Sequence, residues 1–143
     1  MKVAFISHYT ELYGANRSLL NLIDGLAEYN VISYVIVPTE GDLTTALSYR
    51  NVEFAIFPIQ WWVNKYQYKE LSFTLSSFKD RIRPLYYKLK RLMINLKLIS
   101  NLAEQLKKWK IDIIYTNSSV IPAGALVANY SNLPHVWHAR EFC

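Results

Sequence analysis

MKVAFISHYTELYGANRSLLNLIDGL, Met1 to Leu26, decides the fold. A short apolar run, Val3 to Ile6, is bounded by polar residues, and Leu19, Leu22, Ile23 and Leu26 then recur at i, i+3, i+4 and i+7. The apolar pattern changes from that of a buried strand to that of a helix face, so the stretch reads as strand, loop, helix. Its chemistry falls in the loop. Gly14 permits a backbone turn closed to other residues, and Asn16 is placed to cap the helix, whose unpaired first amides then face the space above the strand. Turns of this kind build anion sites in α/β sheets. They also serve as plain connections in which the glycine only turns and the asparagine only caps.

The alternation continues downstream. Asn30 stops the first helix, and Val31 to Pro38 (VISYVIVP) is almost continuously apolar and β-branched, as in a strand covered on both faces. Gly41 and Asp42 open a short helix over Leu43, Ala46 and Leu47, closed by Asn51. Val52 to Phe57 (VEFAIF) is a third strand, at an edge, ended by Pro58. Residues 59–78 break the rhythm with Trp61, Trp62, Tyr66, Tyr68 and Phe73 at no clear period. Together with Lys65 and Lys69 these aromatics can stack on sugar rings, lie at a lipid interface, or pack a long loop onto its own domain.

From Leu85 the register tightens: Leu85, Leu89, Leu92, Leu96, Ile99, Ala103 and Leu106 alternate steps of four and three. A coiled-coil seam has the same stripe, but strand-like segments follow at once, which favours a helix laid along a sheet. Pro84 suits its first turn, with Lys79 to Arg83 as an approach segment or a kinked extra turn. Ile111 to Thr116 (IDIIYT) is a fourth strand, Pro122 to Tyr130 a helix stopped by Asn132 and Pro134, and His135 to His138 (HVWH) a fifth strand. The expectation is an α/β, Rossmann-like three-layer domain over residues 1–143, with a parallel sheet of order 3-2-1-4-5 and helices on both faces.

Composition narrows the class. Half the residues are apolar, which excludes disorder, and no run reaches the eighteen or so apolar residues of a membrane span. The amino end lacks a secretory pattern, so a cytoplasmic location is expected. Cys143 is the only cysteine, which excludes a disulfide framework, and His8, His135 and His138 are not spaced for zinc; no metal site is expected. Glycine occurs only at 14, 25, 41 and 124, so neither G-x-G-x-x-G nor G-x-x-x-x-G-K-[ST] can be written, and there is no G-x-S-x-G elbow. Residues 60–110 hold twelve lysines and arginines against three acids, whereas the remainder is net acidic. That segment is either a solvated helix face or a surface that attracts phosphate-bearing lipid, anionic glycan or nucleic acid.

In a sheet of order 3-2-1-4-5 the winding reverses between strands 1 and 4, and ligands bind there at the carboxyl ends of the strands. Three polar segments converge on that crevice: Gly14, Ala15, Asn16 and Arg17 after the first strand, Asn117 to Ser119 after the fourth, and His138 to Glu141 after the fifth. His138 can exchange hydrogen bonds with a sugar hydroxyl or a phosphate, or simply cap its neighbours. Arg140 can hold an anion in bidentate fashion or pair with a carboxylate, and Glu141 can accept from hydroxyls or serve as a base. Arg17 can face the crevice or solvent.

An opening strand followed by YGANRSLLNLIDGL, then KIDIIYTNS, IPAGALVA and PHVWHAREF, in that order, resembles the amino-terminal domain of a family 4 glycosyltransferase of the GT-B fold. The resemblance spans the chain and is poorest over residues 59–78. It implies retaining transfer of a sugar from a nucleotide-diphosphate donor to a glycan or lipid-linked acceptor, with two Rossmann-like domains closing over the cleft and the amino-terminal one mainly binding the acceptor. No cofactor is implied, the nucleotide sugar being a substrate. It places Gly14 and Ala15 near the donor diphosphate and His138 near the donor sugar. Asn16, Arg17, Asn117, Ser118 and Arg140 complete the expected substrate-binding set, and His138 and Glu141 the catalytic one, with Arg140 and Glu141 matching a variable HxRE form.

One departure is large. The family carries an E-x7-E pair in a second, nucleotide-gripping domain, and no two glutamates here are eight apart. The expectation is therefore half of an enzyme, with little or no turnover on its own. The basic, aromatic segment over 60–110 fits peripheral association with an anionic membrane at its inner face. Competing expectations are a GT-B nucleotide-sugar epimerase, and a non-catalytic domain holding nucleic acid or an acidic partner on the basic helix, with nucleic acid the less favoured partner.

Overall fold

A computed structural model describes residues 1–61 and 78–139. The expected aromatic cluster of Trp62, Tyr66, Tyr68 and Phe73, with Lys65 and Lys69, lies outside the described residues, as do Arg140 and Glu141. The chain alternates β1 (Lys2–Ile6), α1 (Gly14–Ala27), β2 (Ile32–Val37), α2 (Asp42–Tyr49), β3 (Glu53–Ile56), α3 (Phe78–Trp109), β4 (Ile113–Thr116), α4 (Ala123–Ser131) and β5 (His135–Trp137). All pairings are parallel and the order is β3-β2-β1-β4-β5, as expected.

Successive side chains of a strand point to opposite faces, so β1 divides its residues between two cores. Val3 and Phe5 join Leu19, Leu20 and Ile23 of α1 and Leu43 and Leu47 of α2 on one face. Ala4 and Ile6 join Ile99, Leu102, Leu106 and Trp109 of α3 and Val127 of α4 on the other. With both faces covered, strands 1 and 2 have no need of polar alternation, which explains their continuous apolar character.

The four helices among the described residues end on one device. Asn30, Asn51, Lys110 and Asn132 have φ of 57°, 53°, 57° and 52°. The next residue, always aliphatic, donates its N–H to a carbonyl five back: Val31 to Leu26, Val52 to Leu47, Ile111 to Leu106 and Leu133 to Ala128. This left-handed turn satisfies the last helical carbonyls and folds an apolar side chain back onto the helix. Asparagine tolerates the conformation, so the stops expected at Asn30, Asn51 and Asn132 are met. Lys110 was not foreseen, since lysine carries no such signal.

α3 takes one of the two forms expected at its start, extra helix ahead of Pro84, and departs from expectation in its stripe. It begins at Phe78, so Lys79 to Arg83 are helical and Pro84 lies inside the helix, where its ring nitrogen gives up one i→i−4 hydrogen bond. Its buried stripe is rotated: Asn95, Ile99, Leu102, Leu106 and Trp109 face the sheet, whereas Leu89 and Leu96 are each 51% exposed. Asn95 had no place in an apolar pattern, yet it is fully buried because it brackets the backbone of Gln60, accepting from its N–H at 2.9 Å and donating to its carbonyl at 2.8 Å.

These contacts also fix the helix along its length. Lys2 Nζ donates to Trp109 O at 2.9 Å near the amino end of β1, and Asn95 holds Gln60 just past the carboxyl end of β3. The span from Trp109 to Asn95, about 21 Å at 1.5 Å per residue, matches the sheet. The remainder of α3 runs beyond its carboxyl edge, carrying exposed Tyr86, Leu89 and Met93, with Leu96 exposed at the edge itself.

Candidate functional site

The carboxyl edge of the sheet is built around a loop that staples itself. Ser7 continues the ladder past β1 by donating its N–H to Ile36 O at 3.0 Å, and its hydroxyl donates to Asn16 Oδ1 at 2.8 Å. Asn16 Nδ2 donates to the carbonyls of Tyr9 at 3.0 Å and Glu11 at 2.8 Å. With its side chain fully buried and so engaged, Asn16 is not the cap of α1. That position belongs to Tyr13, which is extended and supplies no side-chain hydrogen bond to the first turn. Asn16 instead fixes residues 7–13 as one rigid unit ahead of the helix, so the uncapped first turn is held in place from below.

Gly14 also differs from expectation. Its φ is not positive, and a Cβ built on it would meet no atom within 4 Å, so neither the turn nor packing requires a glycine there. Gly41 and Gly124 are the opposite: a Cβ on Gly41 would stand 2.6 Å from Thr10 Oγ1, and one on Gly124 would run into the Thr116 hydroxyl and stand 3.3 Å from His135 Nε2. The internally required glycines are thus Gly41 and Gly124, neither of which carries a site expectation. Gly14 is exposed, as are its neighbours Tyr13 and Arg17.

The ends of β1, β4 and β5 are laced together. Asn117 donates its backbone N–H to Ile6 O at 3.0 Å, and its side-chain Nδ2 to Ala15 O at 3.2 Å, binding the end of β4 to the first turn of α1. The Trp137 indole N–H donates to Ser118 O at 2.7 Å, and His138 N–H to Thr116 O at 2.9 Å, binding β5 to β4. The structure therefore brings Gly14 and Ala15, Asn117 and Ser118, and His138 to the same edge. It buries the side chains of Asn16, Asn117 and Ser118, which hold the rim together from within. Gly14, Arg17 and the half-buried His138 lie at its surface.

Other residues sit beside them: Tyr9, Tyr13 and Tyr115, which the sequence did not single out, and Trp61, which it did. The Tyr115 hydroxyl meets His138 Nδ1, with the rings edge to face at 5.8 Å. Across the rim, His8 packs on Tyr9 at 4.2 Å and on Trp61 at 5.2 Å, Tyr9 neighbours Tyr13 at 6.1 Å, and Trp61 Nε1 donates to His8 O at 2.9 Å. Tyr115 alternates with buried aliphatics along its strand, and its partner lies 23 residues away, so no local signal marks it. His135 is bound by structure, its Nε2 2.8 Å from Thr116 Oγ1, and burial pushes its pKa below the usual 6.5. Among the described residues no group of three His, Cys, Asp or Glu side chains could hold a metal ion. A cavity of about 550 Å³ lined by Ala103, Lys107, Lys110, Tyr130 and Leu133 lies at the opposite, amino-terminal edge, where α3 and α4 end.

No family model matches the chain, and no curated protein matches it in sequence. Solved structures do match it in fold. Anabaena HepE in complex with UDP-glucose is 17% identical with a TM-score of 0.58, over 99% of this chain and 29% of that one. A glycosyltransferase from Rickettsia africae is 15% identical with a TM-score of 0.61, over 95% and 28%. MurG of Acinetobacter baumannii is 16% identical with a TM-score of 0.64, over 96% and 34%. The likeness shows the fold, a Rossmann-like domain, and the chain spans about a third or less of those proteins' length.

Proposed function

We propose that this chain is the acceptor-side domain of a retaining family 4 glycosyltransferase, which moves a sugar from a nucleotide-diphosphate donor to a glycan or lipid-linked acceptor. One observation carries the proposal. Asn117 and Trp137 lace the ends of β1, β4 and β5 into a single rim, with Gly14, Arg17 and His138 on its surface. The uncapped first turn of α1, with its unpaired amides and the positive end of the helix dipole, suits the donor diphosphate, and Gly14 lets that group approach the backbone. Arg17 adds positive charge to the same edge, and Arg140 is a further anion-binding residue in this proposal. His138 hydrogen-bonds the donor sugar, and Glu141, three residues on, accepts from hydroxyls of the sugar or the acceptor.

A second domain that grips the nucleotide completes the enzyme, so the 143-residue chain alone turns over little or no nucleotide sugar. Product analysis on the two-domain protein tests the proposal. Transfer from a nucleotide sugar with the anomeric configuration kept supports it. Inversion removes the family assignment, and epimerised nucleotide sugar with no transfer removes the transferase.

The overhanging part of α3 fits a lipid-linked acceptor. Exposed Tyr86, Leu89, Met93 and Leu96 recur at i, i+3, i+7 and i+10, one face of the helix, with Lys90 and Lys97 also exposed. An apolar stripe with cations beside it suits the inner face of an anionic membrane, and it stands at the edge of the sheet where the cleft opens. Among the described residues no helix is long and apolar enough to cross the bilayer.

A further inference from the structure

We infer that Tyr115 is a positioning residue for His138, holding the neutral imidazole as the tautomer with its proton on Nε2, so that the ring meets its ligand as a hydrogen-bond donor. The inference rests on the function proposed above for its use, but not for its geometry. Tyr115 Oη faces His138 Nδ1, and the two rings stand edge to face, 84° apart in plane with centroids 5.8 Å apart. A phenol is a good donor, and its oxygen, conjugated with the ring, is a poor acceptor. The unprotonated nitrogen of a neutral imidazole is a strong acceptor. The favoured pairing is therefore O–H to Nδ1, which leaves the single ring proton on Nε2.

Both partners are fixed by the sheet. Tyr115 lies in register between Phe5 of β1 and Val136 of β5, and its ring packs on Phe5 at 5.2 Å. His138 is anchored by its N–H on Thr116 O. Among the described residues nothing else hydrogen-bonds the His138 ring, so Nε2–H is the polar group left to act at the rim. It can donate to a sugar hydroxyl, a ring oxygen or a phosphate oxygen. With Nδ1 occupied and Nε2 protonated, the neutral ring has no lone pair to offer as a general base. Any base at this edge must be another group.

Long-range proton–nitrogen spectra of the 15N-histidine-labelled chain at mildly alkaline pH read the tautomer directly, with His138→Gln assigning the signals. The expected result is His138 with Nδ1 unprotonated and Nε2 protonated. In Tyr115→Phe, which keeps the packing on Phe5, that fixed state is lost and both nitrogens move towards exchange-averaged positions. A proton on Nδ1 of the wild-type ring, or a tautomer unchanged in the variant, overturns the inference. Should the variant not fold, the wild-type spectrum decides alone. UDP-glucose added to the two-domain protein, labelled in the same way, tests the function separately: a shift at Nε2 supports it, and no shift counts against the function while leaving the tautomer result standing.

Discussion

The Ser7 hydroxyl donates to Asn16 Oδ1 across the loop between β1 and α1, at 2.8 Å and out of contact with solvent. Through the amide of Asn16 this pair also satisfies the carbonyls of Tyr9 and Glu11. Asn16→Ala removes three hydrogen bonds at one side chain, although the Ser7 hydroxyl still has Tyr9 O to donate to at 3.0 Å and Glu11 O still accepts from Tyr13 N–H at 2.9 Å. A bond of this kind contributes about 0.5–1.5 kcal/mol net. Urea denaturation is expected to show a loss of about 2–4 kcal/mol. A loss below about 0.5 kcal/mol, the level of an ordinary surface substitution, would mean that the loop holds its shape without Asn16.

Gly14→Ala and Gly124→Ala separate the two uses of glycine. At Gly14 there is open space and an ordinary helical φ, so alanine leaves stability within about 0.5 kcal/mol. It places a methyl group where a ligand would approach the first turn of α1, and weaker nucleotide-sugar binding without loss of fold is the expected signature. At Gly124 the methyl group collides with the Thr116 hydroxyl, which is itself bound to His135. Overpacking costs about 1–3 kcal/mol, read as a lowered melting temperature. The opposite ranking of the two variants would contradict the packing described.

His135 gives the fold a pH dependence whose sign follows from its environment. Burial lowers its pKa in the folded chain below the usual 6.5. The unfolded chain therefore binds more protons as pH falls through that value, and stability present above about 6.5 is lost progressively below it. Urea midpoints measured from neutral pH downwards should fall for the wild type and fall less steeply for His135→Gln. Parallel curves would remove His135 from the account.

Neutralising Lys88, Lys90 and Arg91 tests the surface of α3. A basic side chain near an anionic membrane contributes about 1 kcal/mol, so the triple change should reduce sedimentation with anionic vesicles by about tenfold or more in affinity. An unchanged bound fraction would leave the exposed Leu89, Met93 and Leu96 without a lipid role.

Most of the architecture was legible because it depends on period and punctuation. Two faces of apolar cover made the strands of the centre recognisable, and asparagines marked three of the four helix ends. The register of α3 was not legible. A polar Asn95 facing the sheet breaks the apolar stripe, and its reason, the backbone of Gln60, lies 35 residues away. Pro84 left the start of α3 open between an approach segment and an extra turn, since a proline is tolerated inside a helix when packing elsewhere outweighs one lost hydrogen bond. At the rim, topology alone brought Gly14, Asn117 and His138 to one edge. What the sequence could not convey is which side chains turn inwards: Asn16 has the composition of a cap and does the work of a staple. Tyr115 has the pattern of a core residue and reaches the histidine.

The central claim is that a nucleotide sugar is met at the carboxyl edge of the sheet, between the start of α1 and the end of β5. Amide chemical-shift mapping of this domain, 15N-labelled within the two-domain protein, during titration with UDP-glucose tests it most directly. The account predicts shifts confined to Gly14, Ala15, Arg17 and His138 with their immediate neighbours, and their loss in Gly14→Ala. Shifts centred instead on Lys107, Lys110 and Tyr130 at the opposite edge, or none at the rim, would contradict it.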